Sequence, residues 1–253
     1  MTRITKAQVK MVKSLQMKKY RDELGYFVAE GVKCVEELRK GFKMVLLATP
    51  DNTSADDLAR MSGLKTPSNY VAVFKRPSEG LKGHPEGAER TTAFERAKTA
   101  DGDGIIVALD GVQDPGNIGT IIRTCDWFGV HDIVCSHDTA DCYNPKVVQA
   151  TMGALTRVRV HYTDLTQWLT TIRQEHPTLP IYGTLLEGTN MYEAGEMREG
   201  IIVMGNEGKG LSPAVREIVT HAIRIPSYPE GTETSESLNV SIAAAIVLAH
   251  CRR

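Results

Sequence analysis

Net charge, paired cysteines and long apolar runs are all scarce in this chain, and each scarcity argues against a class of function. The 253 residues carry a formal net charge of −1, so no global excess of base points to a nucleic-acid partner. The five cysteines, Cys34, Cys125, Cys135, Cys142 and Cys251, are scattered and form no CxxC pair. A reducing cytoplasm and no structural zinc are therefore expected. No apolar run follows the opening MTRITKAQVK, so neither a secretory signal nor a membrane span is expected there. The seven histidines show no metal-ligand spacing, and no Ser/His/Asp order or Cys/His pair stands out. A Walker A loop is excluded because Gly210 is followed by Leu211, and the GxGxxG of a dinucleotide site does not occur. Internal repeats are not visible.

What remains is an ordinary globular composition, 42% hydrophobic and 24% charged, with an uneven charge distribution. From Met1 to Lys43 there are eleven Lys and Arg against five acids. Such a segment can form a phosphate-binding face, or simply a solvated helix surface.

Residues 1–78 read as a small α/β unit. It has a basic amphipathic stretch over 7–19, strands at 26–29, 44–48 and 70–74, and a helix over 32–40. Residues 79–103 are rich in Pro, Gly, Glu and Lys and read as a linker, with a possible short helix about 93–98. From 104 to 253, short apolar strands at 105–109, 132–135, 157–161, 181–184, 201–204 and 222–225 alternate with helices at 118–128, 145–154, 165–175 and 213–220 and one final helix. That alternation predicts a parallel sheet covered on both faces, with ligands beyond the C-terminal strand ends.

Four loops lie at such ends. In LDGVQDPGNIGTIIRTCDWFGV, Asn117 is placed to cap a helix whose stripe is Ile118, Ile121, Ile122, Cys125 and Phe128, and Gly129 to end it. Arg123 lies off the stripe, where it could be a solvated partner of Asp126. In VMGNEGKGLS the glycines suit either a tight turn or a backbone that closely approaches a ligand. ADCYNPKVVQATMGAL sets Asn144 before a helix whose first turn holds Lys146. In SLNVSIAAAIVLAHC either Ser237 or Asn239 can cap a helix that is apolar on every side, as a helix covered by its own domain and by a second surface would be.

In this order and at these positions, NIGTIIR, GNEGKGLS and SLNVSIAAAI closely resemble motifs 1, 2 and 3 of the SpoU (TrmH-like) RNA ribose 2′-O-methyltransferases of the SPOUT superfamily. YNPKVVQATMGAL resembles the family's segment between motifs 1 and 2. SLQMKKYRDELGYFVAEGVK is similar to the start of an L30e-like substrate-binding domain. The resemblance implies a parallel α/β sheet with a deep C-terminal trefoil knot, preceded by that small L30e-like domain. It further implies a homodimer through the knotted domain and bent S-adenosylmethionine (AdoMet) as cofactor, with no metal. By position, the cofactor site would comprise Thr184, Leu185, Gly205, Asn206, Glu207, Gly208, Ile225, Pro226, Leu238 and Asn239. The catalytic set would be Asn117, Arg123, Glu207, Ser237 and Asn239. The segment SYPEGTETSE after Pro226 is longer than the family's spacing and lacks its Met.

The activity implied is cytoplasmic methylation of a ribose 2′-OH, in ribosomal RNA ahead of transfer RNA because of the added N-terminal domain. Arg123 is the activator the resemblance implies; because a guanidinium stays protonated it would hold the adjoining phosphate and stabilise the developing alkoxide, a base role being left open. Asn117 would position Arg123 or the ribose, Glu207 would order its loop, and Ser237 and Asn239 would fix the motif 3 backbone. The competing reading is a non-catalytic RNA-binding or ribosome-assembly protein on the same scaffold.

Overall fold

The computed structural model describes residues 3–77, 104–229 and 235–253. The expected linker and the possible short helix about 93–98 lie outside the described residues. The chain divides into two compact units, one of Met1–Gly83 with Asp141–Arg157 and the other of His84–Ala140 with Val158–Arg253. The expected boundary was contiguous, whereas the observed units interleave.

In the first unit, β1 (Tyr26–Glu30), β2 (Met44–Ala48) and β3 (Val71–Lys75) form an antiparallel sheet in the order β1-β3-β2. Helix α1 (Lys6–Ser14) starts at a capping box between Thr5 and Gln8. The basic amphipathic stretch is interrupted after Leu15, and α2 (Lys18–Leu24) follows, stopped by Gly25 at φ 68°. Val9, Val12 and Leu15 pack on one sheet face with Leu58 and Met61 of α4 (Ala55–Met61), a helix that the sequence reading did not include. The other face turns Phe27 and Phe74 towards Phe42 and Tyr143. Around it lie α3 (Val32–Leu38), α6 (Pro145–Thr151) and a single 3₁₀ turn, Ala154–Thr156. Buried Arg21 ties the 141–157 segment in, donating Nε and Nη2 to Asp141 at 3.0 and 2.8 Å and Nη1 to the carbonyls of Leu15 and Gln16.

The second unit is an all-parallel sheet in the order β6-β5-β4-β8-β7-β9. Its strands are β4 (Ile105–Asp110), β5 (Asp132–Ser136), β6 (Arg159–Thr163), β7 (Ile181–Asn190), β8 (Gly200–Gly205) and β9 (His221–Arg224). Ile106, Ala108, Val134, Ile201 and Val203 pack against α7 (Leu165–Glu175) and α8 (Pro213–Ile218). The alternate residues Val107, Leu109, Ile202 and Met204 are equally buried, so the opposite face is covered too. Helix α9 (Val240–Cys251) packs on α5 (Pro115–Trp127) and on β8. Strand order runs outward in one direction from β4 and in the other from β8, so the crevice between their C-terminal ends is the switch point where open α/β sheets bind ligands.

At the opposite end of the sheet, Asp132 is buried between Arg159 and His161, at 2.6 and 2.7 Å. Burial alone would raise its pKa, but hydrogen bonds from His161 and Arg159 outweigh it and hold the carboxyl at about 2. This cluster stabilises the β5/β6 edge, far from the switch point.

Candidate active site

The loops after β4 and β8 and the start of α9 meet at the switch point. Pro115 occupies the first turn of α5, which makes Asp114 the N-cap, its Oδ1 accepting the Asn117 N–H at 2.9 Å. The expectation that Asn117 caps this helix is therefore corrected. Freed from capping, the Asn117 side chain donates Nδ2 to Glu207 Oε1 at 3.0 Å, and Asn117 Oδ1 accepts from Asn239 Nδ2 at 2.9 Å. Asn239, rather than Ser237, caps α9, its Oδ1 accepting Ser241 N–H at 3.0 Å. One continuous relay, Glu207–Asn117–Asn239, thus joins three loops drawn from widely separated sequence.

The β8 loop is built for close backbone approach. Asn206 and Gly210 exchange N–H···O bonds at 2.9 Å, while the Asn206 side chain accepts from Gly208 and Lys209 N–H and donates to the Gly111 carbonyl at 2.7 Å. A Cβ on buried Gly205 would stand 2.3 Å from the Gly210 carbonyl carbon, so no side chain fits there. Glu207 and Gly208 at the tip are exposed.

The β8-β7-β9 order aligns the remaining positions. Thr184 Oγ1 donates to the Val203 carbonyl at 3.1 Å, and Thr184 pairs with Ile223. Leu185 packs partly buried on the core, and Ile225 and Pro226 lie half-buried just past β9. Two residues stand apart from the relay. Arg123 is exposed on α5 with no hydrogen bond or ion pair among the described residues, Asp126 included, and Ser237 is likewise exposed with no hydrogen bond there. Leu238 is also exposed. Asn144 stands before α6 as read and caps it, accepting Lys146 N–H at 3.0 Å, and both belong to the first unit.

The description "SpoU rRNA Methylase family" matches residues 104–249. The chain belongs to the SpoU rRNA methylase family. A second description, "MRM3-like substrate binding domain", matches residues 6–65. A SpoU relative from Bacillus subtilis, the 23S rRNA (guanosine(2553)-2′-O)-methyltransferase RlmP, is 30% identical over 97% of this chain and 96% of its own. Among solved structures, one from Porphyromonas gingivalis assigned to the TrmH family of RNA methyltransferases is 34% identical. It matches with a TM-score of 0.80 over 98% of both chains. An AdoMet-bound rRNA methyltransferase from Sinorhizobium meliloti is 27% identical, with a TM-score of 0.76 over 100% of this chain and 96% of that one.

Two acids of this SpoU site escaped the sequence reading. Asp110, buried at the end of β4, accepts the Ser212 N–H at 2.6 Å and so anchors the far end of the motif 2 loop. Asp114 caps α5 and turns its own N–H towards Glu207 Oε1 at 3.4 Å. The signal for Asp114 was present as Asp-Pro-Gly, a cap followed by proline in the first helical turn. Among the described residues no cluster of three His, Cys, Asp or Glu could hold a metal. No described helix is long and apolar enough to cross a membrane.

Proposed function

We propose that this protein transfers a methyl group from AdoMet to a ribose 2′-OH of ribosomal RNA. The observation that carries the reading is the relay from Asn239 through Asn117 to Glu207, which links motifs 3, 1 and 2 at one sheet crevice. The residues present suit AdoMet. Apolar walls at Leu185, Ile225 and Pro226 match a purine ring, and the tight Gly205–Gly210 fold leaves Glu207 and Gly208 exposed at the loop tip. Gly205, Asn206, Glu207, Gly208, Thr184, Leu185, Ile225, Pro226, Leu238 and Asn239 would hold the cofactor. When bound, its sulfonium supplies an activated methyl group and its own leaving group, with no metal required.

The chain's own side chains then have distinct tasks. Arg123, exposed and without a partner among the described residues, carries a permanent charge for the phosphate beside the target ribose and for the alkoxide that develops on its oxygen. Asn117 holds Glu207 and Asn239 in register, which orients the motif 2 loop and the α9 start. Ser237 lies exposed at the start of motif 3, where its hydroxyl can meet the cofactor or the ribose. In the N-terminal unit, Lys6, Lys10 and Lys13 are exposed along α1, whose Val9 and Val12 are buried, and give RNA a basic face. The family's trefoil knot and homodimer are part of this reading. Ile242 and Ala249 expose an apolar strip on α9 for a second copy. Five buried free thiols suit the cytoplasm.

The test is transfer of labelled methyl from AdoMet into deproteinised ribosomal RNA and, in parallel, transfer RNA. The wild type labels ribosomal RNA, and Arg123→Ala lowers the rate at least about a hundredfold without changing circular dichroism or oligomeric state. Full activity of Arg123→Ala refutes the residue's role. Preferential labelling of transfer RNA would move the substrate, and no labelling of either RNA would favour a binding scaffold.

A further inference from the structure

The chain has two tryptophans, Trp127 and Trp168. Trp168 is 3% exposed in the sheet core, while Trp127 is 84% exposed on α5. A large aromatic ring held so far into solvent has most of its burial energy still to gain from a contact. Its position narrows the partner. Residues four apart lie on one helix face, about 6 Å from each other, so Trp127 stands one turn beyond Arg123 on the same side. That face carries an exposed guanidinium without an anionic partner among the described residues, and Thr120, one turn earlier, has turned its hydroxyl back to the Gly116 carbonyl at 2.9 Å. Asp126, three residues beyond Arg123, flanks the face about 60° round the helix from it but makes no ion pair with it among the described residues.

A second copy of the chain meeting this face about a two-fold axis would bring another arginine and another tryptophan. Two guanidinium groups would then lie close together, which like charge disfavours. An RNA strand brings both complements, a phosphate for the guanidinium and, on the neighbouring nucleotide, a flat base for the indole. The spacing of one helical turn is comparable to that between successive nucleotides. We propose that Trp127 is a positioning residue that stacks on the nucleobase next to the target nucleotide, so that the ribose at Arg123 is presented with its neighbour splayed out of any helix. The inference rests on Arg123 receiving the target nucleotide.

The test uses the full-length protein and deproteinised large-subunit ribosomal RNA. Trp127→Ala is expected to weaken RNA binding and raise the KM for RNA about tenfold, with the KM for AdoMet unchanged, while Trp127→Phe restores both to within about threefold. In the wild type, RNA should quench the solvent-exposed part of the tryptophan emission, and this quenching should vanish in Trp127→Phe, whose only indole is buried Trp168. Unchanged RNA affinity and KM in Trp127→Ala overturn the proposal. It is also overturned if that variant sediments as a monomer where the wild type is a dimer, which would give the indole to a second copy. RNA-dependent quenching in a protein that transfers no methyl group would sink the catalytic reading while leaving the stacking contact in place.

Discussion

Asn239 performs two tasks with one amide. Its oxygen caps α9 through Ser241 N–H, and its nitrogen reaches Asn117 across 122 positions of sequence. The two tasks can be separated by chain length. Serine caps helices nearly as well as asparagine, but its hydroxyl is too short to bridge to Asn117. Asn239→Ala should therefore lose about 1 kcal/mol of stability, and Asn239→Ser only a few tenths, in urea unfolding. Both should lose at least about tenfold in methyl transfer. A serine variant with full turnover would show that the relay is dispensable. At this scale the sequence was partly legible. Motif residues could be placed, yet Asn117 and Asp114 compete for the same cap, and only the proline between them decides which side chain is left over for the site.

At the scale of elements, the least legible feature was the segment Asp141–Arg157, which follows motif 1 in sequence yet belongs to the N-terminal unit. Composition marks linkers, and periodicity marks local faces. Neither reports that Arg21 and Asp141, 120 positions apart, meet in a buried pair. The same limit hides the break in the basic stretch after Leu15, where no Gly or Pro stands and buried Arg21 holds the carbonyls of Leu15 and Gln16. Buried pairs are informative when one partner is removed. Arg21→Met leaves Asp141 buried without its counter-ion, at a cost of about 3–5 kcal/mol, whereas Arg21→Met with Asp141→Leu should recover at least about half of that loss. Urea unfolding monitored by circular dichroism gives both values, and a single variant as stable as the wild type would contradict the account of how the segment is held.

For the whole molecule, the alternation of short apolar runs with amphipathic helices was enough to read a parallel sheet, because strands buried on both faces are apolar throughout. Strand order was not readable. It is the adjacency of β4 and β8 that brings the motif 1 and motif 2 loops to one crevice, and the packing of α9 on α5 and β8 that brings motif 3 there. The most direct measurement of the central claim is mass spectrometry of nucleosides from ribosomal RNA incubated with the purified protein and isotope-labelled AdoMet. The account predicts one labelled species, a nucleoside methylated on its ribose 2′ oxygen, formed by the wild type and absent with Arg123→Ala. A label on a base would contradict it, as would a 2′-O-methyl product that persists when Arg123 is replaced.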